Sequence, residues 1–284
     1  MNISNVCVVG CGRMGQQIAM NAAIHGYTVT LQDSFEKARE TVKLWADEYL
    51  DGRIAKGRMT AEQVDDIKAR FIVCETLEEA AKDADLVIEA IIEVEEAKAD
   101  LFRKLSTIIR ADTIIATNSS FIVSSKFAEC VSNPSRLANL HYFNPALVMK
   151  LVEVVQGEHT SEETTETLMN FCTSLEKTPV LLKKEIDGFI VNRIVSAIQE
   201  AALYLVEEGY CSYEDVDIAC RNGLSHKIGP FQFLDLTGID LAYPIKNETY
   251  KKTGKKPVGY DLLKELTEQG RYGMKTNKGF YDYD

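Results

Sequence analysis

The sequence predicts an α/β fold, a doubly wound and mostly parallel sheet followed by a smaller all-α domain. Three observations predict it. Short apolar runs alternate with amphipathic helical stretches up to about residue 183, as expected of strands joined by helical crossovers and therefore paired in parallel. A glycine-rich turn closes the first of those runs. From about Asp187 the strand pattern stops, and apolar residues recur at three- and four-residue steps, which is helix periodicity.

Taken in order, "NVCVVG" reads as a strand, "MGQQIAMNAAIHG" as a helix and "YTVTLQD" as a second strand. The polar-amphipathic stretch from Ser34 to about Arg70 reads as two helices joined at "KGRMT". "FIVC" and "DLVIEAI" are strands, a helix runs from about Glu95 to Arg110, and "DTIIATN" is a strand. A short helix near Ser124, the strands "RLANLHYF" and "VMKLVEVV", the helix in "SEETTETLMNFCTSL" and the strand "PVLL" complete this part. "GFIVNRIVSAIQEAALYLVEEG" then places Ile190, Ile194, Ile198, Ala201 and Leu205 on one stripe and stops at Gly209, a favourable residue just past a helix end. "SYED" opens the next helix with capping-box-like spacing. The boundary between two domains, 1–184 and 185–284, is expected at a short joint near 184–187, because no low-complexity linker separates them.

Composition narrows the function. With 284 residues, 45% of them hydrophobic, the chain has ample material for a packed core. A net charge of −11 argues against non-specific nucleic-acid binding and against a polybasic membrane footprint. No apolar run approaches the roughly 18 residues of a membrane span, and the N-terminus has no basic region of the kind that opens a signal peptide. Seven cysteines without C-x-x-C spacing indicate neither a disulfide framework nor a zinc site, so a reducing cytoplasm is expected. Four histidines make a His-rich metal site unexpected, and no metal is assigned.

"VVGCGRMGQQIA" holds G-x-G-x-x-G at Gly10, Gly12 and Gly15, after an apolar strand and at the opening of a helix. Gly10 makes the tight turn, Gly12 lets the backbone approach a pyrophosphate, and Gly15 lets the helix pack closely on the strand. The helix N-terminus presents free N–H groups to the phosphates, with Arg13 and Met14 in the same loop. Asp33 follows the second strand, where an acid accepts hydrogen bonds from ribose hydroxyls, and no arginine follows immediately to hold a 2′-phosphate. This is a Rossmann-type dinucleotide fingerprint, and it favours NAD over NADP. Cys11 reads simply as a small residue that fits the loop.

"RLANLHYFNPALVMKLVEVV" poses a problem. Glu153 lies among Leu151, Val152, Val154 and Val155, and an unpaired carboxylate in a buried strand costs several kcal/mol. Either Glu153 reaches solvent at a strand end, or it is paired inside, with His141 the nearest candidate. Oxidising a secondary alcohol needs a base for the O–H proton and an acceptor for the hydride. A histidine held by a carboxylate suits the first role.

"HYFNPALVMKLVEV" resembles the corresponding segment of the L-3-hydroxyacyl-CoA dehydrogenases, including the bacterial 3-hydroxybutyryl-CoA branch. The resemblance spans nearly the whole chain and includes the glycine fingerprint, "VIEAIIE" with Glu89 and Glu93, "GFIVNRI" with Asn192, "GP" at Gly229–Pro230 and "KGFYDY". It implies an NAD-binding domain, a C-terminal helical domain that dimerises, and an acyl-CoA substrate. It assigns His141 as general acid and base, Glu153 as its orienting partner, and Ser120 and Asn192 as holders of the substrate oxygen. It places Glu93, Lys98, Asn118, Asn144 and Lys275 on the cofactor. Lys56 aligns with a CoA-contacting lysine, and Arg53 stands in for a second that falls on Gly52. The family reads N-T-S-S where this chain has Asn118, Ser119, Ser120 and Phe121, so the acyl-length preference is open. Two alternatives stay in view. One is a dehydrogenase of a free hydroxy acid or sugar acid, although such relatives look like H-P-x-N-P at the key site. The other is a catalytically weak NAD-binding protein.

Overall fold

The computed structural model describes residues 2–283. The chain forms two compact units, the first ending at Ile190 and the second beginning at Val191.

The first unit is built on one eight-stranded sheet in the order β3-β2-β1-β4-β5-β6-β7-β8. The strands are β1 Asn5–Val9, β2 Thr28–Gln32, β3 Phe71–Val73, β4 Leu86–Glu89, β5 Ile114–Thr117, β6 Leu137–Tyr142, β7 Leu151–Val155 and β8 Thr178–Leu182. All neighbours are parallel except β6 and β7. The helices are α1 Arg13–Ile24, α2 Glu36–Ala55, α3 Ala61–Arg70, α4 Leu77–Ala81, α5 Glu95–Ile108 and α6 Glu162–Ser174. From β1 the order runs to β2 and β3 on one side and to β4, β5 and β6 on the other. This reversal opens a crevice at the carboxyl ends of β1 and β4, where folds of this kind take their ligands.

Successive strand residues face opposite sides, so two cores form. Val6 and Val8 join Ile18, Leu31, Ile88 and Leu140 on one face. Cys7 and Val9 join Val87, Phe102, Phe127 and Leu137 on the other. Covered on both sides, the central strands read as continuous apolar runs.

The first unit continues past residue 184, where the sequence places the boundary. Gly188 and Phe189 both adopt positive φ, 75° and 49°, and that turn brings the chain back onto the sheet. Phe189 is buried with Val155 and Leu182, with Ile190 packed against them.

The second unit contains α7 Val191–Glu207, α8 Tyr213–Gly223, α9 Pro230–Thr237, α10 Ile239–Thr253 and α11 Tyr260–Glu268. Its core gathers Leu203, Val216, Phe231, Leu234, Leu263 and Phe280. The apolar stripe along α7 lies largely off the core face. Ala202 and Leu203 are buried, while Ile194 and Leu205 are 55% and 38% exposed. Apolar residues surround much of this helix, and periodicity alone does not tell which side meets the core. Among the described residues no helix is long and apolar enough to cross a membrane.

Two buried aspartates account for the "KGFYDY" tail. Asp217 accepts from the Phe231 and Gln232 N–H groups and the Tyr281 hydroxyl. Asp235 accepts from the Phe280 N–H at 2.8 Å, the Tyr281 N–H at 3.0 Å and the Tyr283 hydroxyl at 2.9 Å. A Cβ at Gly279 would lie 1.9 Å from Asp235 Oδ1, so only glycine lets the tail approach. Asp235→Ala strips the acceptor from three donors and is expected to cost about 3 kcal/mol, read as a lower midpoint in urea denaturation. An unchanged midpoint would show that the tail does not depend on this carboxylate.

Candidate active site

Strands β6 and β7 pair antiparallel with His141 directly opposite Glu153. Directly opposed residues in such a pair project from the same face with Cβ atoms roughly 5 Å apart. The side chains meet: His141 Nδ1 lies 2.8 Å from Glu153 Oε2. Both are buried, at 4% and 1% exposure. The other carboxylate oxygen, Oε1, accepts the Ile190 N–H at 3.0 Å, delivered by the Gly188–Phe189 turn. The acid in the apolar strand is therefore paired inside. A carboxylate only accepts hydrogen bonds, so the ring nitrogen facing it carries the proton. His141 Nε2 is left with its lone pair, and the Ser120 hydroxyl lies 3.1 Å from it. The rings of Phe143 and Phe189 flank the imidazole at centroid distances of 4.6 and 5.4 Å and limit its rotation.

Ser120 sits on the turn after β5. Asn118 Oδ1 accepts the Tyr142 N–H at 2.9 Å, tying that turn to the end of β6. Asn139, two residues before His141 and on the same face, accepts the Ser124 N–H at 2.7 Å and donates to the Ile122 carbonyl at 2.9 Å. Glu93 accepts the Ser119 hydroxyl and the N–H groups of Ser120 and Phe121. Burial pushes the Glu93 carboxyl up, but the Ser119 hydroxyl, the Lys98 ammonium and the Phe121 N–H outweigh it and hold the group below the ordinary glutamate value. Phe121 is 49% exposed beside Ser120.

At the other end of the crevice, Gly10 has φ +112°, and a Cβ there would meet the Ala90 carbonyl oxygen at 2.5 Å. A Cβ on Gly15 would meet the Gly10 carbonyl at 1.8 Å. Gly12 is different. It caps α1 with no side-chain bond, and no heavy atom lies within 4 Å of its Cβ position. Asp33 Oδ2 accepts the Cys11 N–H at 2.8 Å and Oδ1 the Phe35 N–H at 3.0 Å. Burial, reinforced by Asp33, pushes the Cys11 thiol up to about 12, as expected of a packing residue rather than a reactive one.

The family model for the 3-hydroxyacyl-CoA dehydrogenase NAD binding domain matches residues 5–186, and that for the 3-hydroxyacyl-CoA dehydrogenase C-terminal domain matches residues 188–283. The chain belongs to the 3-hydroxyacyl-CoA dehydrogenase family. It is similar to a probable 3-hydroxybutyryl-CoA dehydrogenase of Bacillus subtilis, 35% identical over 285 residues, 100% of this chain and 99% of the relative. Its fold matches the crystal structure of an (S)-3-hydroxybutyryl-CoA dehydrogenase from Ralstonia eutropha with TM-score 0.89 and 31% identity, covering 100% of both chains. A diketoreductase structure, described for catalysis on dicarbonyl compounds, matches with TM-score 0.90 at 30% identity, again over 100% of both chains. Membership makes this chain an oxidoreductase with NAD as its cofactor.

The residues present fit NAD. Gly12 leaves an open approach to the uncapped N–H groups of α1, whose first turn carries no acid, and such a helix end favours phosphate. Each Asp33 oxygen accepts one main-chain donor and has capacity for another. The nearby Arg39 donates to the Asp33 carbonyl at 2.6 Å. Gly12→Ala is expected to leave the melting temperature unchanged and to weaken NADH about tenfold, measured by fluorescence titration. Undiminished affinity would mean that the dinucleotide does not pass this backbone.

The remaining residues of the 3-hydroxyacyl-CoA dehydrogenase resemblance fall in mixed settings. Arg13 and Asn144 are exposed, Met14 half-buried. Arg53 lies in the last turn of α2, with its Nε buried and unbonded, and Lys56 caps that helix in solvent. Asn192 is in the first turn of α7, and Lys275 pairs with Asp240, both within the second unit. Lys98 is buried on its helix. It is 1% exposed and bonds Glu89 at 2.6 Å and Glu93 at 3.2 Å. Its partner Glu89 is fully buried, and no motif in the sequence gives it a role. A signal was present: Lys98 is spaced with Phe102 and Leu105 on the buried stripe of α5, and a buried lysine requires an acid.

Proposed function

We propose that this chain interconverts short-chain (S)-3-hydroxyacyl-CoA and 3-ketoacyl-CoA, such as 3-hydroxybutyryl-CoA and acetoacetyl-CoA, with His141 and Glu153 as an acid–base pair. The observation that carries it is the line from Ser120 Oγ through His141 to Glu153, at 3.1 and 2.8 Å. In the direction of oxidation, His141 Nε2 takes the hydroxyl proton, and in reduction the protonated ring returns it to the forming alkoxide. Glu153 fixes the ring's tautomer and stabilises the imidazolium. The Ser120 hydroxyl steers the substrate oxygen toward Nε2. Asn192 is assigned to the same oxygen on the resemblance alone. NAD, when bound, supplies the acceptor or donor of the hydride.

Arg53 and Lys56, with the exposed Arg58 beside them, are assigned to the CoA phosphates. Glu93, Lys98, Asn118, Asn144 and Lys275 are assigned to the cofactor side on the resemblance. The preference for a short chain follows the Bacillus and Ralstonia relatives, both named for 3-hydroxybutyryl-CoA, and Phe121 is consistent with a narrow acyl site. The exposed apolar residues of the second unit, Leu241 and Ile245 at 61% and 60% among them, support a homodimer. Seven free cysteines support a reducing, cytoplasmic setting.

The test is the loss of NADH absorbance with acetoacetyl-CoA and purified protein, with free CoA as competitor. Turnover inhibited by CoA supports the proposal, and no turnover overturns it. The diketoreductase likeness favours a second reading, a dicarbonyl substrate without CoA. Turnover of a free diketone with no inhibition by CoA would select it.

A further inference from the structure

Glu89 is the last residue of β4 and has no exposed surface. The acid–base pair makes no use of it, and an isolated buried carboxylate would be costly. Its partners explain its place. Oε1 accepts Lys98 Nζ at 2.6 Å and the Ile91 N–H at 2.7 Å, and Oε2 accepts the Thr117 hydroxyl at 2.6 Å. Two arms leave this carboxylate. Along one, Lys98 passes to Glu93 Oε2 at 3.2 Å, and Glu93 Oε1 accepts the Ser119 hydroxyl and the Ser120 and Phe121 N–H groups, the last two at 3.1 and 3.2 Å. Along the other, Thr117 Oγ1 accepts the Ser119 N–H at 3.2 Å. Both arms end on the turn that carries Ser120, 3.1 Å from His141 Nε2.

We infer that Glu89, Lys98 and Glu93 are positioning residues, a buried acid–base–acid bracket that fixes the Ser120 hydroxyl against His141 Nε2. The inference rests on the acid–base reading of His141. Main-chain turns relax readily unless their N–H groups are bound, and a displacement of about 1 Å at a reacting group is enough to cost 10²-fold in rate. Strand ends supply two of the bracket's fixed points, Glu89 and Thr117, while Lys98 stands on the buried stripe of α5. The turn is thereby referred to three rigid elements. The Lys98 ammonium lies between two carboxylates at 1% exposure, and it bears on Ser120 through Glu93.

A double-mutant cycle tests this. Thr117→Val cuts one arm without changing shape, and Lys98→Met cuts the other while keeping an unbranched side chain. Each is made alone and on a Ser120→Ala background. Each single variant is expected to lower kcat roughly tenfold, and Thr117→Val to leave the NADH Kd within about twofold of wild type. On the Ser120→Ala background neither should lower kcat further, because residues that act through one group are not additive. Full additivity overturns the inference. So does a Lys98→Met variant with weakened NADH binding and unchanged kcat, which would put the lysine on the cofactor. A readout without turnover keeps the two proposals separate: amide hydrogen exchange at residues 119–121 should quicken in both single variants, and unchanged exchange overturns the bracket whatever the substrate. Absence of wild-type turnover with acetoacetyl-CoA counts against the substrate reading alone.

Discussion

His141→Asn is expected to lower kcat for acetoacetyl-CoA reduction by about 10³-fold, within the usual range for losing a general acid–base group, while NADH affinity and the denaturation midpoint hold. Asparagine is the informative replacement. Its amide nitrogen falls near the position of the imidazole Nδ1 and can still donate to Glu153 Oε2, so the buried carboxylate keeps a partner. What disappears is Nε2, the atom 3.1 Å from the Ser120 hydroxyl. His141→Leu makes the contrast. It removes both nitrogens, leaves the Glu153 oxygen at 1% exposure without that donor, and is expected to cost roughly 3 kcal/mol of stability in addition to the rate. Steady-state kinetics at saturating NADH with urea denaturation of both variants checks this. A kcat for His141→Asn within threefold of wild type would remove His141 from the chemistry.

The sequence displays some of this site openly and conceals the rest for physical reasons. The cofactor end is local: strand, three glycines, helix and Asp33 lie within one β–α–β segment, and each glycine serves a backbone need visible in the residue type. The pairing of His141 with Glu153 is half visible. A carboxylate among valines demands a partner, but which residue faces it is a matter of register. That register depends on how many residues the connection between β6 and β7 takes up, and the apolar runs do not show it. Glu89 and Lys98 are harder still. Each looks like an ordinary charge at an element end until the two elements are packed. Only the spacing of Lys98 with Phe102 and Leu105 hints that the ammonium is carried inward. The last residues of the first unit are hidden for a similar reason. The return of Phe189 and Ile190 onto the sheet depends on a positive-φ pair, Gly188 and Phe189, and phenylalanine carries no sequence signal for that conformation.

Glu153→Gln is the sharper test of the pairing, because the change is one atom and both ways of accommodating it are unfavourable. Glu153 offers two acceptor oxygens, one to His141 Nδ1 at 2.8 Å and one to the Ile190 N–H at 3.0 Å. Glutamine offers one acceptor and one donor. If its oxygen stays with Ile190, its amide N–H faces Nδ1, which must then lose its proton. The proton moves to Nε2, and the ring no longer has a lone pair for Ser120 or the substrate hydroxyl. If the oxygen serves His141 instead, the amide confronts the Ile190 N–H, and a buried donor goes unsatisfied at a cost of about 1–3 kcal/mol. The first outcome predicts a kcat loss of about 10²–10⁴-fold with an ordinary denaturation midpoint, as for other inverted-tautomer histidines. The second predicts a lower midpoint and a looser Gly188–Phe189 turn. Nitrogen-detected NMR of the labelled imidazole separates them by showing which ring nitrogen holds the proton. A variant with wild-type kcat, midpoint and tautomer would mean that the carboxylate neither orients the ring nor anchors the turn.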